Sequence, residues 1–255
     1  MTAPLPTEIK AASAPNPTKE MHLLDHLAEL RTRLVVIALA VTVGACLAYT
    51  FAGEIFRLLS APFDQAFTKH ELIGTGPAEA FIMKLKLSLF AGGVMASPVV
   101  FYQIWLFVAP GLHQHEKRLA LPFLVSTTAL FLSGILFCYY VALPYAYGFF
   151  FDQYTSLGVM PNIKIGEHLS FVVKMMLVFG AMFELPVLAY FLGRLGIITA
   201  DFLIRGTRYA IVIIFIVSAI LTPPDVITQL LMALPLMVLY GISIVVVRYS
   251  ARKQQ

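Results

Sequence analysis

Charged residues are scarce in this chain. They make up 13% of its 255 residues, about half the share of a soluble domain. Such a surface cannot be water-facing throughout, which excludes an ordinary soluble enzyme as the overall class. Cysteine is nearly absent as well. Cys46 and Cys138 both fall inside apolar runs, so neither a disulfide framework nor a metal-ligand spacing exists, and both read as small packing residues. The chain has no Gly-x-Ser-x-Gly, no His-Glu-x-x-His and no Gly-Lys-Ser/Thr loop, which argues against intramembrane proteolysis and nucleotide chemistry. There is no internal repeat, a point against an inverted-repeat transporter. A cleavable signal peptide is not expected either. The first apolar run starts only at Leu34, is too long for a signal core, and leads into further runs.

Apolar residues are abundant: 59% of the chain is hydrophobic and the mean hydropathy is +0.84. They are gathered into six runs, Leu34–Ala52, Leu85–Val108, Leu119–Leu143, Leu169–Leu192, Tyr209–Leu221 and Val226–Val247. Most reach the roughly 20 residues that a helix needs to cross about 30 Å of hydrocarbon. The predicted fold is therefore all-α: a polytopic membrane protein with six spans. The basic excess, 18 Lys and Arg against 14 Asp and Glu, follows from topology and does not point to nucleic acid. With the N-terminus inside, 12 of those 18 fall on the inner side, so both termini are expected in the cytoplasm.

Residues 1–20, rich in Pro, Ala, Thr and Lys, are expected to form a disordered tail. From Met21, Leu23, Leu24, Leu27, Leu30 and Leu34 recur at helical spacing opposite His22, Asp25, His26, Glu29 and Arg33. This predicts an amphipathic interfacial helix running into the first span. In the first outer loop, Leu58 to Pro62 suggests a short helix ended by the proline, and Gly74-Thr75-Gly76-Pro77 reads as a turn. Trp105 and Phe107 near one interface, and Tyr139, Tyr140, Tyr145 and Tyr147 near the other, fit aromatic belts. Pro98, Pro122, Pro186 and Pro235 should bend their helices. The fifth run, with 13 residues, predicts a shallow final hairpin turning at Thr222-Pro223-Pro224-Asp225. Residues 248–255 form a basic tail.

Few residues can carry chemistry. Glu184 lies inside the fourth run, where a charged carboxylate costs about 2.5–3.5 kcal/mol on insertion scales. It is either a polar contact for a substrate or partner helix, or a carboxyl satisfied within the bundle. A proton-coupled small-molecule transporter using Glu184 is the rival reading of function. Lys174, ten residues earlier on the same helix, is too far to pair with it and should snorkel outward. Glu29 and Glu116 fall on one side of the membrane. Two such carboxylates could each take a guanidinium, or each be an ordinary ion pair with its basic neighbours. His113 and His115 beside Glu116 lack a third convergent ligand, so no metal and no other cofactor is expected. Gln229 and Thr222 flank the last turn, either bonding within the hairpin or receiving another membrane helix.

Several separated motifs then occur in order on the six spans: His26-Leu27-Ala28-Glu29-Leu30-Arg31-Thr32-Arg33-Leu34, Ser60-Ala61-Pro62, the stretch from Tyr102 to Leu112 with His115-Glu116-Lys117-Arg118, Phe183-Glu184-Leu185-Pro186, and Leu221-Thr222-Pro223-Pro224-Asp225. Together they resemble the TatC family, polytopic receptor subunits of the twin-arginine protein translocase. The resemblance implies a concave, glove-like bundle whose last two helices are short. It implies a receptor and scaffold in the inner membrane, not an enzyme, working with the proton-motive force. Its implied partners are twin-arginine signal peptides of folded precursors, single-span subunits of the TatA and TatB type, further copies in a larger complex, and the bilayer. By the same resemblance, Glu29 and Glu116 bind the signal, Arg31 and Phe107 shape that site, Glu184 lies on the concave face, and Thr222 and Gln229 dock partner subunits. Pro62, Tyr139 and Asp225 match further family positions.

Overall fold

The computed structural model describes the backbone of residues 17–67, 72–108, 120–221 and 226–252. There the regular structure is helical, apart from one isolated bridge between Ile73 and Lys164. Helices are what an apolar chain must form in lipid, because no water is present to satisfy free backbone groups. In order they are α1 (Pro17–Thr50), α2 (Ala52–Ala66), α3 (Glu79–Val108), α4 (Ala120–Phe137), α5 (Leu143–Ser156), α6 (Ile165–Phe183), α7 (Leu185–Arg194), α8 (Ala200–Leu221) and α9 (Val226–Arg252). A π-helical turn, Cys138–Ala142, joins α4 to α5. Six stretches are long and apolar enough to cross a bilayer: Leu27–Thr50, Glu79–Phe107, Leu121–Ser156, Ile165–Arg194, Ala200–Ile220 and Val226–Tyr249.

α6 runs through the middle. Its Val172, Met175 and Phe179 are buried with Phe63 of α2, Phe67 just beyond it, Leu143 and Tyr147 of α5, and Met232 and Leu236 of α9. α1 packs mainly on α3, and α8 on α9. The first and fifth spans are accordingly the least buried.

The α1–α3 pair shows how membrane helices associate. Lipid tails are as apolar as leucine, so close backbone approach replaces the hydrophobic drive. At Gly92 a Cβ would stand 2.3 Å from the Ala45 nitrogen, so only glycine fits there. The antiparallel register is pinned at both ends. Arg33 reaches Gln103 at one end, and Lys84 lies 4.7 Å from the centroid of the Tyr49 ring at the other.

Several sequence expectations shift. α1 is one continuous helix from Pro17, which places residues 17–20 in the helix rather than in the tail; residues 1–16 lie outside the described residues. α2 does not end at Pro62 but continues to Ala66, with the proline inside it. The third span extends past Leu143 to Ser156. Pro144 lacks an N–H for the carbonyl four residues before it, and the π turn takes up the mismatch, with the Leu143 N–H bonding the Cys138 carbonyl. Of the four prolines expected to bend spans, Pro186 breaks one outright between α6 and α7, while Pro98 and Pro235 stay inside single helices. α8 has 22 residues, nine more than its apolar run, because the helix starts in the polar stretch at Ala200. The shortness expected of the last two helices therefore holds for the fifth span, the shortest at 21 residues; the sixth, at 24, equals the first.

Candidate functional site

Glu29, Arg31 and Arg33 follow one another on α1, and helix geometry decides their fates. Residues four apart share a face and residues two apart do not. Arg33 therefore folds onto Glu29. Its Nε donates to Glu29 Oε1 at 3.1 Å and its Nη2 donates to the same oxygen. Its third nitrogen, Nη1, donates to Gln103 Oε1 on α3 at 3.2 Å. Arg31 points elsewhere and is exposed. Both members of the ion pair are partly shielded from solvent, so the carboxylate is held in one place by a planar, charge-assisted fork. Gln103 was not singled out from sequence, although it lies in a quoted motif. Only the packing of α1 on α3 brings it to Arg33.

Two residues beyond Gln103, Trp105 is buried against Phe123 of α4 and Phe191 of α7, with ring centroids 4.8 and 5.4 Å away. These rings border an apolar cavity of about 500 Å³ between α3, α4, α7 and α9, with Arg194 on its wall. Phe107 lies one helical step further along α3 and is half-buried. Glu29, Arg31 and Phe107 thus share one end of the molecule. Glu116, the other expected signal contact, lies outside the described residues, as do His113 and His115.

Glu184 sits at the α6–α7 break. Pro186 cannot donate to the Met182 carbonyl, and the chain turns there with Glu184 as the residue between the two helices. The side chain is buried, 7% exposed, against α4, where it meets the backbone of Phe131. Its Oε1 has no hydrogen-bond partner among the described residues.

Gln229 bridges the final hairpin. Its Nε2 donates to the Phe215 carbonyl on α8 at 3.0 Å, so one of its donors is committed within the chain. Thr222 and Asp225 lie outside the described residues.

Pro62 and Tyr139 act together at the opposite end from Glu29. Pro62 leaves the Leu58 carbonyl without its helical donor, and Tyr139 Oη donates to that carbonyl at 2.8 Å. Nearby is a polar group that sequence reasoning missed. His168 is buried, with Tyr147 Oη 2.8 Å from its Nδ1 and Ser60 Oγ 3.4 Å from its Nε2. Tyr147 donating to Nδ1, and Nε2–H donating to Ser60, satisfies all three groups. Glu79 was missed as well. Its Oε1 accepts from the Gly166 N–H at 3.0 Å, placing a carboxylate on the N-terminus of α6. No local spacing announces either contact, because the partners are 21 to 108 residues apart.

Six helices long and apolar enough to cross a bilayer define a polytopic membrane protein. The family model described as Sec-independent protein translocase protein (TatC) matches residues 25–235. The chain is 43% identical over 232 residues to TatC of Desulforapulum autotrophicum, covering 90% of this chain and 85% of that one. It is 40% identical over 236 residues to TatC of Aquifex aeolicus, covering 92% and 98%. A crystal structure of the twin-arginine translocase receptor TatC superposes with a TM-score of 0.81 at 40% identity, over 89% of this chain and 99% of that one. A second, in DDM, gives 0.80 at 41%. The chain belongs to the TatC family. It is a multi-pass membrane subunit of a twin-arginine protein translocase, and not an enzyme.

Proposed function

We propose that this subunit is the receptor for twin-arginine signal peptides and the scaffold on which single-span subunits of the TatA and TatB type assemble. It does so in the inner membrane with both termini in the cytoplasm, and export is driven by the proton-motive force. The observation that carries the reading is Glu29, a carboxylate fixed by Arg33 and Gln103 at the end of the α1–α3 pair. Arginine-rich peptides seek fixed anions, and the planar fork of a guanidinium rewards a carboxylate already oriented. Glu116 is the second anion for the second arginine. Arg31 and Phe107 flank the same end. Apolar surface beside it receives the hydrophobic stretch that follows the arginines. Gln229, with Thr222 and Asp225, receives a polar residue of a partner helix at the final hairpin, and Glu184 offers a polar contact inside the bundle.

The test is binding of a labelled twin-arginine signal peptide to the purified protein, against the same peptide with both arginines changed to lysine. The expected result is loss of binding with the lysine pair, since guanidinium geometry is what is read. Equal binding of both peptides overturns the site.

A further inference from the structure

The structure describes four lysine side chains, and they divide into two kinds. Lys84 lies over the Tyr49 ring, and Lys164 Nζ is 3.6 Å from Glu167 Oε1. Lys86 and Lys174 form no ion pair, hydrogen bond or ring contact among the described residues, and both line one groove. The groove runs between α3 and α6, encloses about 350 Å³, and is apolar apart from the two lysines and Ser170, with Leu87, Phe90, Gly93, Leu169, Val173 and Leu177 on its walls.

Both lysines stand inside membrane-crossing stretches. Lys86 is seven residues into Glu79–Phe107, and Lys174 nine into Ile165–Arg194, about 10 and 14 Å along the helices. The two helices start at the same end, tied by the Ile73–Lys164 bridge and by Glu79 on Gly166. The two ammonium groups therefore enter at similar depth. A cation at such depth is costly unless it finds a counter-charge, and a pair of them doubles the demand.

We propose that this groove is a lipid site, in which one acyl chain of an acidic phospholipid lies along α3 and α6 while Lys86 and Lys174 hold its phosphate. Charge complementarity selects the occupant. Two cations at the mouth of an apolar slot match a headgroup carrying net negative charge above a hydrocarbon tail, and a zwitterionic headgroup brings its own cation to the same place. Gly93 keeps the slot open, because a Cβ there meets nothing within 4 Å.

Native mass spectrometry of the full chain in detergent tests this with two probes, phosphatidylglycerol and phosphatidylcholine of identical chains. The wild type should retain phosphatidylglycerol roughly thirtyfold better, in line with the attraction of two basic residues near the surface. Lys86→Gln with Lys174→Gln should lose that preference, each single change should reduce it, and Lys164→Gln should keep it. Gly93→Phe, which fills the slot but leaves the charges, should weaken retention of both lipids. Equal retention of the two lipids by the wild type overturns the proposal. So does a preference that survives the double change, or one that Lys164→Gln removes as well, since that is general surface charge. A groove whose lysines instead meet an acidic residue on a partner helix gives the first of these results.

Discussion

Tyr139 donates its hydroxyl proton to the Leu58 carbonyl across 2.8 Å, and Leu58 stands four residues before Pro62. The proline removes the one N–H that would have closed that turn of α2, and a side chain 81 residues away supplies the missing donor. Two family-matched positions thus describe one physical event. α2 survives its proline because α4 and the π turn deliver a phenol to the gap.

The first prediction follows from that arrangement. Tyr139→Phe leaves a carbonyl without a partner and should destabilise the protein by about 0.5–1.5 kcal/mol, read as the unfolding midpoint in detergent. Pro62→Ala restores the N–H. In that background Tyr139→Phe should cost markedly less. Additive losses in the double-mutant cycle would refute the coupling.

The α1–α3 contact yields a paired prediction. Gly92→Ala drives a Cβ to within 2.3 Å of backbone nitrogen, and backbone cannot yield as a side-chain tip can. The neighbouring Gly93→Ala meets nothing within 4 Å. The first change should cost at least the roughly 1–3 kcal/mol of an overpacked core and loosen α1, seen as faster proteolysis of the N-terminal segment. The second should leave stability within about 0.5 kcal/mol. Equal behaviour of the two variants would mean that the helices are not packed this closely.

Much of this architecture could be read from the chain, and for a physical reason. Six apolar runs are long-range facts of composition, and lipid leaves helices as their only outcome. Helix boundaries were less legible. Pro62 marks an end when only local rules apply, and the donor that overrides it lies on another helix. The start of α8 at Ala200 is hidden because its first turns are polar. Among site residues, the Glu29–Arg33 pair is visible as an i, i+4 spacing, while Gln103, Glu79 and the Ser60–His168–Tyr147 group depend on contacts between distant segments. The likeness to a known family rested on residues scattered in order along the spans, which is the kind of signal that composition and period cannot supply.

Glu79 supports a third prediction. Its carboxylate accepts from the α6 N-terminus at Gly166 and from the Thr75 hydroxyl at 3.0 Å each. An anion at a helix N-terminus meets the positive end of the helix dipole and the free backbone N–H groups there. Glu79→Ala should lower the unfolding midpoint accordingly, and Glu79→Gln should recover part of it by keeping an acceptor. The outer loop and the start of α6 should exchange amide hydrogens faster in the alanine variant. Unchanged exchange there would separate Glu79 from the docking of that loop.

The last prediction concerns the receptor site, and Arg33 makes it sharper than a simple loss of charge. In the resting protein Arg33 already occupies Glu29 Oε1 while its remaining nitrogen holds Gln103. An incoming arginine must share this carboxylate or displace Arg33 from it. Glu29→Gln keeps the shape and removes the charge; Glu29→Lys also sets a cation against Arg33 and against the peptide. If Glu29 binds signal arginine, the glutamine variant should weaken peptide binding by at least tenfold, about 1.4 kcal/mol, and the lysine variant by more. Glu116→Gln should act in the same direction. All three proteins should still reach the membrane, because the six apolar spans drive insertion. A merely structural ion pair predicts the reverse pattern: stability falls on losing Glu29, and the difference between twin-arginine and twin-lysine peptides stays the same. Measuring peptide affinity and unfolding midpoint on the same preparations separates the two. Unchanged affinity in both Glu29 variants and in Glu116→Gln would remove these carboxylates from the binding site.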